Sequence, residues 1–189
     1  SNTWHEIPKE GFPHKLNPEF GFAASGTGIP VQGRKTVWLG MGGVKSRVFK
    51  SEDGGMNWSV AETPVVHGGQ STGIYSVAFK NKKVGIAVGR NYTNQTIKNT
   101  MAYTNDGGAT WHLPEKQTLQ YRECVAHYRG NIFFAVGPSG FDMTTDNGKN
   151  WHPHYWEVNN LTAVAFAKRS NIGFAVGKGG QIYKIKVNH

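Results

Sequence analysis

Ser51-Glu-Asp53-Gly-Gly55-Met-Asn-Trp58 recurs as Thr104-Asn-Asp106-Gly-Gly108-Ala-Thr-Trp111 and again as Thr144-Thr-Asp146-Asn-Gly148-Lys-Asn-Trp151. The shared pattern, Ser/Thr-x-Asp-x-Gly-x-x-Trp, reads as a tight hairpin turn. Its hydroxyl and carboxylate side chains can accept bonds from turn N–H groups that otherwise lack partners. Its glycine supplies a backbone with φ > 0. Its tryptophan folds back as an apolar plug, the indole N–H free to meet a carbonyl.

Working outward, an apolar strand precedes each turn. Val84-Gly-Ile86-Ala-Val88-Gly89, Ile132-Phe-Phe134-Ala-Val136-Gly137 and Ile172-Gly-Phe174-Ala-Val176-Gly177 superimpose without gaps, and Val37-Trp-Leu39-Gly-Met41-Gly42 is a looser copy. The final glycines lie 47, 48 and 40 residues apart, the spacing of four-stranded propeller blades. Near-continuous apolar character suits strands buried on both faces between neighbouring blades. Further upstream lie Ile74–Phe79, Arg122–His127 and Leu161–Phe166, which read as inner strands, with Phe20-Gly-Phe22-Ala-Ala in that role for the first unit.

The expectation is an all-β propeller of four blades, each of four antiparallel strands. The blades span about 20–62, 73–116, 121–157 and 161–187. The fourth unit lacks an outer strand, and Thr3-Trp4-His5-Glu-Ile7-Pro8 resembles Thr110-Trp111-His112-Leu-Pro114. Residues 3–8 are therefore expected to complete the last blade and close the ring, which would remove an exposed edge.

Composition agrees: 25 glycines, 8 prolines and 12% aromatics leave little room for helices. No apolar stretch approaches the ~18 residues of a membrane-spanning helix. The net charge of +9 favours anionic partners. Its basic residues are dispersed along strands and no groove-reading helix is visible, which argues against nucleic acid. N-glycosylation sequons at Asn57, Asn91, Asn94 and Asn160 tilt the location towards secretion or the periplasm. The single cysteine, Cys124, aligns with Ser76 and Ala163 and reads as a small packing residue, not a nucleophile.

The octapeptide is similar to the Asp-box, or BNR, motif, which also occurs in sialidases. Together with Gly21–Thr27, Ser46–Ser51, Gly73–Phe79 and Ala135–Gly140 it makes the whole chain resemble the photosystem II assembly and stability factor family. Members usually have about seven blades, so the resemblance implies either a shortened ring of four or a portion of a larger one. A monomer follows from the first and pairing with a second copy from the second. The resemblance implies binding or scaffolding in place of catalysis, with a protein partner or an anionic glycan as ligand.

A glycoside hydrolase of sialidase-like ancestry is the alternative. It needs a carboxylate pair or a Tyr–Glu nucleophile, and an arginine cluster for an anionic sugar. Three of the four aspartates sit in the turns, which leaves Asp142 and eight glutamates. Tyr75 and Tyr121-Arg122-Glu123 stand where inner-strand residues can reach a central channel, and Lys45 and Arg47 could add positive potential. His152 and His154 share a strand face, but no third ligand accompanies them, so no metal and no cofactor is expected.

Overall fold

The computed structural model describes residues 3–22, 27–93, 98–117, 120, 122–154 and 158–187, and in it the three octapeptides close three hairpins with one bonding scheme. The Ser51, Thr104 and Thr144 hydroxyls each donate to the Oδ1 of Asp53, Asp106 and Asp146 at 2.8 Å. The same hydroxyls accept the N–H of Gly55, Gly108 and Gly148 at 2.8–3.0 Å. Each aspartate Oδ1 also accepts the N–H four residues on, from Asn57, Thr110 and Asn150. Two successive residues take positive φ: Gly54 and Gly55 at 87° and 97°, Gly107 and Gly108 at 81° and 91°, Asn147 and Gly148 at 63° and 89°. Asparagine tolerates the first of these positions; the second is glycine in all three turns.

The strands form four antiparallel sheets arranged as a four-bladed β-propeller. Blade 1 contains Val31–Gln32, Thr36–Gly40, Arg47–Ser51 and Ser59–Glu62. Blade 2 contains Thr72–Phe79, Gly85–Asn91 and Met101–Thr104, with a Tyr103–His112 bridge in place of an outer strand. Blade 3 contains Cys124–Arg129, Ile132–Gly137, Gly140–Thr144 and His152–His154. Blade 4 contains Leu161–Phe166, Ile172–Gly177 and Ile182–Lys186.

One packing rule joins successive blades. On its back face, towards the next blade, each second strand presents bulky residues, and the following blade answers with a flatter front face. Trp38 and Val48 meet Val77, Ala87, Ala102 and Trp111. Ile86, Val88 and Met101 meet Val125, Ala135 and Trp151. Phe134, Val136 and Phe141 meet Leu161, Val164 and Ala175. The turn glycines take part: a Cβ on Gly148 would lie 2.8 Å from Ile86, and the Trp38 indole donates to the Gly107 carbonyl at 2.9 Å. Burial of such side chains, at ~25 cal/mol per Å² of apolar surface, is what holds one blade on the next.

Three expectations are corrected. First, the copy at Val37–Gly42 is one residue out of frame. Ser51 pairs with Val37, whereas Thr104 pairs with Gly85 and Thr144 with Phe133, so Trp38 is the counterpart of Ile86 and Phe134. The glycine used for alignment, Gly42, belongs to a separate short strand, Gly42–Gly43, which pairs with Glu19–Phe20 and with Gly73 of blade 2.

Second, the inner strand of blade 1 is not 20–24. Gly40 N–H bonds to Gly28 O, Trp38 N–H to Pro30 O, and Val31 pairs with Val37. Phe22 is drawn away by stacking on Tyr75, with ring centroids 4.0 Å apart; residues 23 and 24 lie outside the described residues.

Third, residues 3–8 form no strand, and the last blade has three strands among the described residues. The segment lies on blade 1. Phe12 packs between Phe49 and Trp58 at centroid distances of 5.3 and 5.2 Å, and Trp58 N–H bonds to Gly11 O. Ile7 covers Gly55 as Ile86 covers Gly148. These contacts hold the segment, while Trp4 is 98% exposed.

Candidate binding cleft at the channel mouth

Antiparallel pairing sets the end of each second strand beside the start of each inner strand. Gly73 pairs with Arg90, Glu123 N–H bonds to Val136 O, and Leu161 pairs with Gly177. The residues just after the repeat glycines Gly89, Gly137 and Gly177, namely Arg90, Pro138 and Lys178, therefore converge with Glu123 and Leu161 at one mouth. Together with Asn160 and Thr162 they line a cleft of about 260 Å³.

Arg90 is its hub. The guanidinium lies 4.3 Å from the centre of the Tyr75 ring and 5.7 Å from that of Tyr92, and its Nη1 is 2.6 Å from Glu123 Oε1. Burial pushes the Glu123 carboxyl up, and the charges of Arg90 and Lys178 pull it back only in part. Burial likewise raises the Tyr75 phenol, against the opposing charge of Arg90. The cleft thus holds two cations and one carboxylate, with hydroxyl and amide groups from Thr162 and Asn160.

Below the mouth the small residues converge. Thr27 Oγ1 is 2.5 Å from Ser76 Oγ and 3.5 Å from Cys124 Sγ. Ser76 Oγ accepts Val125 N–H, and Cys124 Sγ lies 3.8 Å from Val164 O. Beyond this constriction, a second chamber of about 340 Å³ is lined by inner-strand residues of all four blades, among them Gln32, Phe79, His127 and Phe166. Burial lowers the His127 pKa.

The candidates named from sequence separate into two groups. Tyr75 and Glu123 meet at the mouth through Arg90; Tyr121 lies outside the described residues. Arg122 is taken up inside blade 3, where it pairs with the fully buried Asp142 and donates to Ser139 Oγ at 2.8 Å. Arg47 is buried and bidentate with Glu19, at 2.6 Å for both bonds, and also donates to His14 O. Lys45 pairs with Glu62 at 3.1 Å on the surface. Neither arginine is positioned to hold a ligand, because each neutralises a buried carboxylate whose solvation shell is gone. In sequence Arg90 and Lys178 look like dispersed charge, although both follow a repeat glycine and that phase marks them as mouth residues. His154 stacks on Phe141 at 5.2 Å, and no cluster of three metal-ligating groups occurs among the described residues.

Comparison with known proteins gives the fold a wider setting. A BNR/Asp-box repeat model matches residues 102–113. A structure of YCF48 bound to a D1 peptide is similar over 98% of this chain and 62% of its own, at 21% identity and a TM-score of 0.53. The GH74 enzyme of Niastella koreensis is similar over 85% of this chain and 29% of its own, at 15% identity and a TM-score of 0.60. The computationally designed Ika4 protein is similar over 89% of this chain and 96% of its own, at 12% identity and a TM-score of 0.59. No curated protein sequence matches. The chain spans about three fifths of the YCF48 chain it resembles. By its repeats and its fold, the chain is a β-propeller carrying BNR/Asp-box motifs.

Proposed function

We propose that the protein is a non-catalytic binding propeller that holds a carboxylate-bearing segment of a protein partner at the channel mouth. The observation that carries this reading is the Arg90–Glu123–Lys178 cleft, where two cations face one carboxylate. A ligand carboxylate arriving there meets Lys178 and the guanidinium edge of Arg90, and Tyr75 fixes that guanidinium from below. The other carboxylates support binding over glycoside chemistry. Asp53, Asp106 and Asp146 hold turns, Asp142 pairs with Arg122, and Glu19 pairs with Arg47. No carboxylate couple across a cleft is left among these. The likeness to a YCF48 structure with a bound peptide is in keeping with a peptide ligand.

Fluorescence anisotropy with acidic peptides tests the reading, comparing free and amidated C-termini. Binding should favour the free carboxylate, weaken with added salt, and fall roughly tenfold in Arg90→Ala and in Lys178→Ala. The likeness to GH74 enzymes supports the alternative of glycan processing. A parallel hydrolysis assay on oligosaccharides decides between them, and product formation overturns the binding reading.

A further inference from the structure

The junction that joins blades three times within the chain also has two unmatched halves at the ends of the blade series. Phe174, Val176 and Ile182 occupy the positions that Ile86, Val88 and Met101 occupy in blade 2, by the pairing of Val176 with Ile182 and of Val88 with Met101. The blade 2 trio is 0% exposed under blade 3, whereas the blade 4 trio is 50%, 40% and 72% exposed. On the first blade, Ile29 corresponds to Val77, Val125 and Val164. Those three are 1–4% exposed, and Ile29 is 63% exposed. Beside Ile29 an apolar groove of about 300 Å³ opens between Phe22, Leu39 and Met41.

We propose that two copies of this chain close a common ring, each packing the back face of its fourth blade on the front face of the other's first blade. The occupant follows from continuity with the internal junctions: what covers such a trio in blades 2 and 3 is the front face of another blade. Among the described residues the two halves do not cover one another in the single chain, since the three hydrophobic clusters join blades 1 to 2, 2 to 3 and 3 to 4. Two-fold symmetry then forms both junctions at once and leaves no unmatched face.

Light scattering on the 189-residue chain across a concentration series tests this. The expected species has twice the 20.8 kDa chain mass. Ile29→Lys and Phe174→Asp should each give a monomer with unchanged far-UV circular dichroism, because both side chains are exposed in the single copy. Mixing the two variants should restore a heterodimer, since one junction is then wild type and the other sets Lys against Asp. A monomer at every concentration, an assembly larger than two, or a dimer indifferent to both substitutions would each overturn the proposal.

Discussion

Replacing Trp151 with alanine, and Trp4 with alanine in parallel, sets a tryptophan on which a blade junction is built against one with similar sequence neighbours and no packing. Trp151 is fully buried among Ile86, Val88, Met101 and Phe133. A buried indole hides ~200 Å², worth at most ~5 kcal/mol at ~25 cal/mol per Å². Large-to-small changes of this kind cost about 3–5 kcal/mol. Taking about 4 kcal/mol, the melting temperature should fall by about 8–16 °C for a domain of this length. Trp4, 98% exposed, should change stability by no more than about 0.5 kcal/mol. Urea titration followed by far-UV circular dichroism is the suitable assay, because removing a tryptophan alters the fluorescence baseline. A Trp4→Ala loss above about 1.5 kcal/mol would mean that the N-terminal segment plugs a blade after all. A Trp151→Ala loss below about 1 kcal/mol would refute the packing account of the junction.

The indole N–H groups make a finer contrast. Trp111 Nε1 donates to Gly108 O at 3.1 Å, whereas the buried Trp151 Nε1 has no acceptor among the described residues. Trp111→Phe should therefore destabilise more than Trp151→Phe, by about 1 kcal/mol in paired urea titrations. In blade 3, Arg122→Met should cost about 3–5 kcal/mol by leaving buried Asp142 without its counter-charge, and the Arg122→Met/Asp142→Leu double variant should cost less than the single one. Acid should weaken the turns. Asp53 is lowered chiefly by the backbone and side-chain N–H groups of Asn57, and Asp106 is held at about 2 by Thr110 and Thr104 against the opposing effect of burial. Asp146 is lowered in the same way by Asn150. Folded carboxyls below the unfolded value of about 3.9 bind fewer protons, so this stability is complete above about pH 4 and is lost as pH falls towards 2. Urea midpoints between pH 6 and 2.5 should show that slope, and Asp106→Asn should flatten it.

The propeller was legible because its decisive information is local and repeated. Octapeptide, apolar strand and inner strand recur in phase, and each follows short-range rules of turn chemistry and strand alternation. The errors arose where a local signal was settled by distant packing. Gly42 imitates Gly89 and Gly137 in sequence, yet the ladder opposite Ser51 fixes the frame one residue earlier. Trp4 has the neighbours of Trp111, but Phe12 holds its segment against Phe49 and Trp58. At the mouth, Tyr75 and Glu123 were visible as strand-start residues. Arg122 looked equally available because its partner, Asp142, becomes adjacent only when two strands of blade 3 pair. Arg90 was hidden among dispersed cations until the second strands were placed side by side.

The constriction beneath the mouth has a consequence for how the chain's motions can be observed. Cys124 is the sole thiol, it is fully buried, and it touches Thr27 from blade 1 and lies beside Val164 of blade 4. An alkylating reagent reaches that sulfur only when these contacts open, so its rate of modification reports how often the constriction opens. The molecule thus carries an internal clock for its own opening, placed by the packing of a small residue and needing no added label.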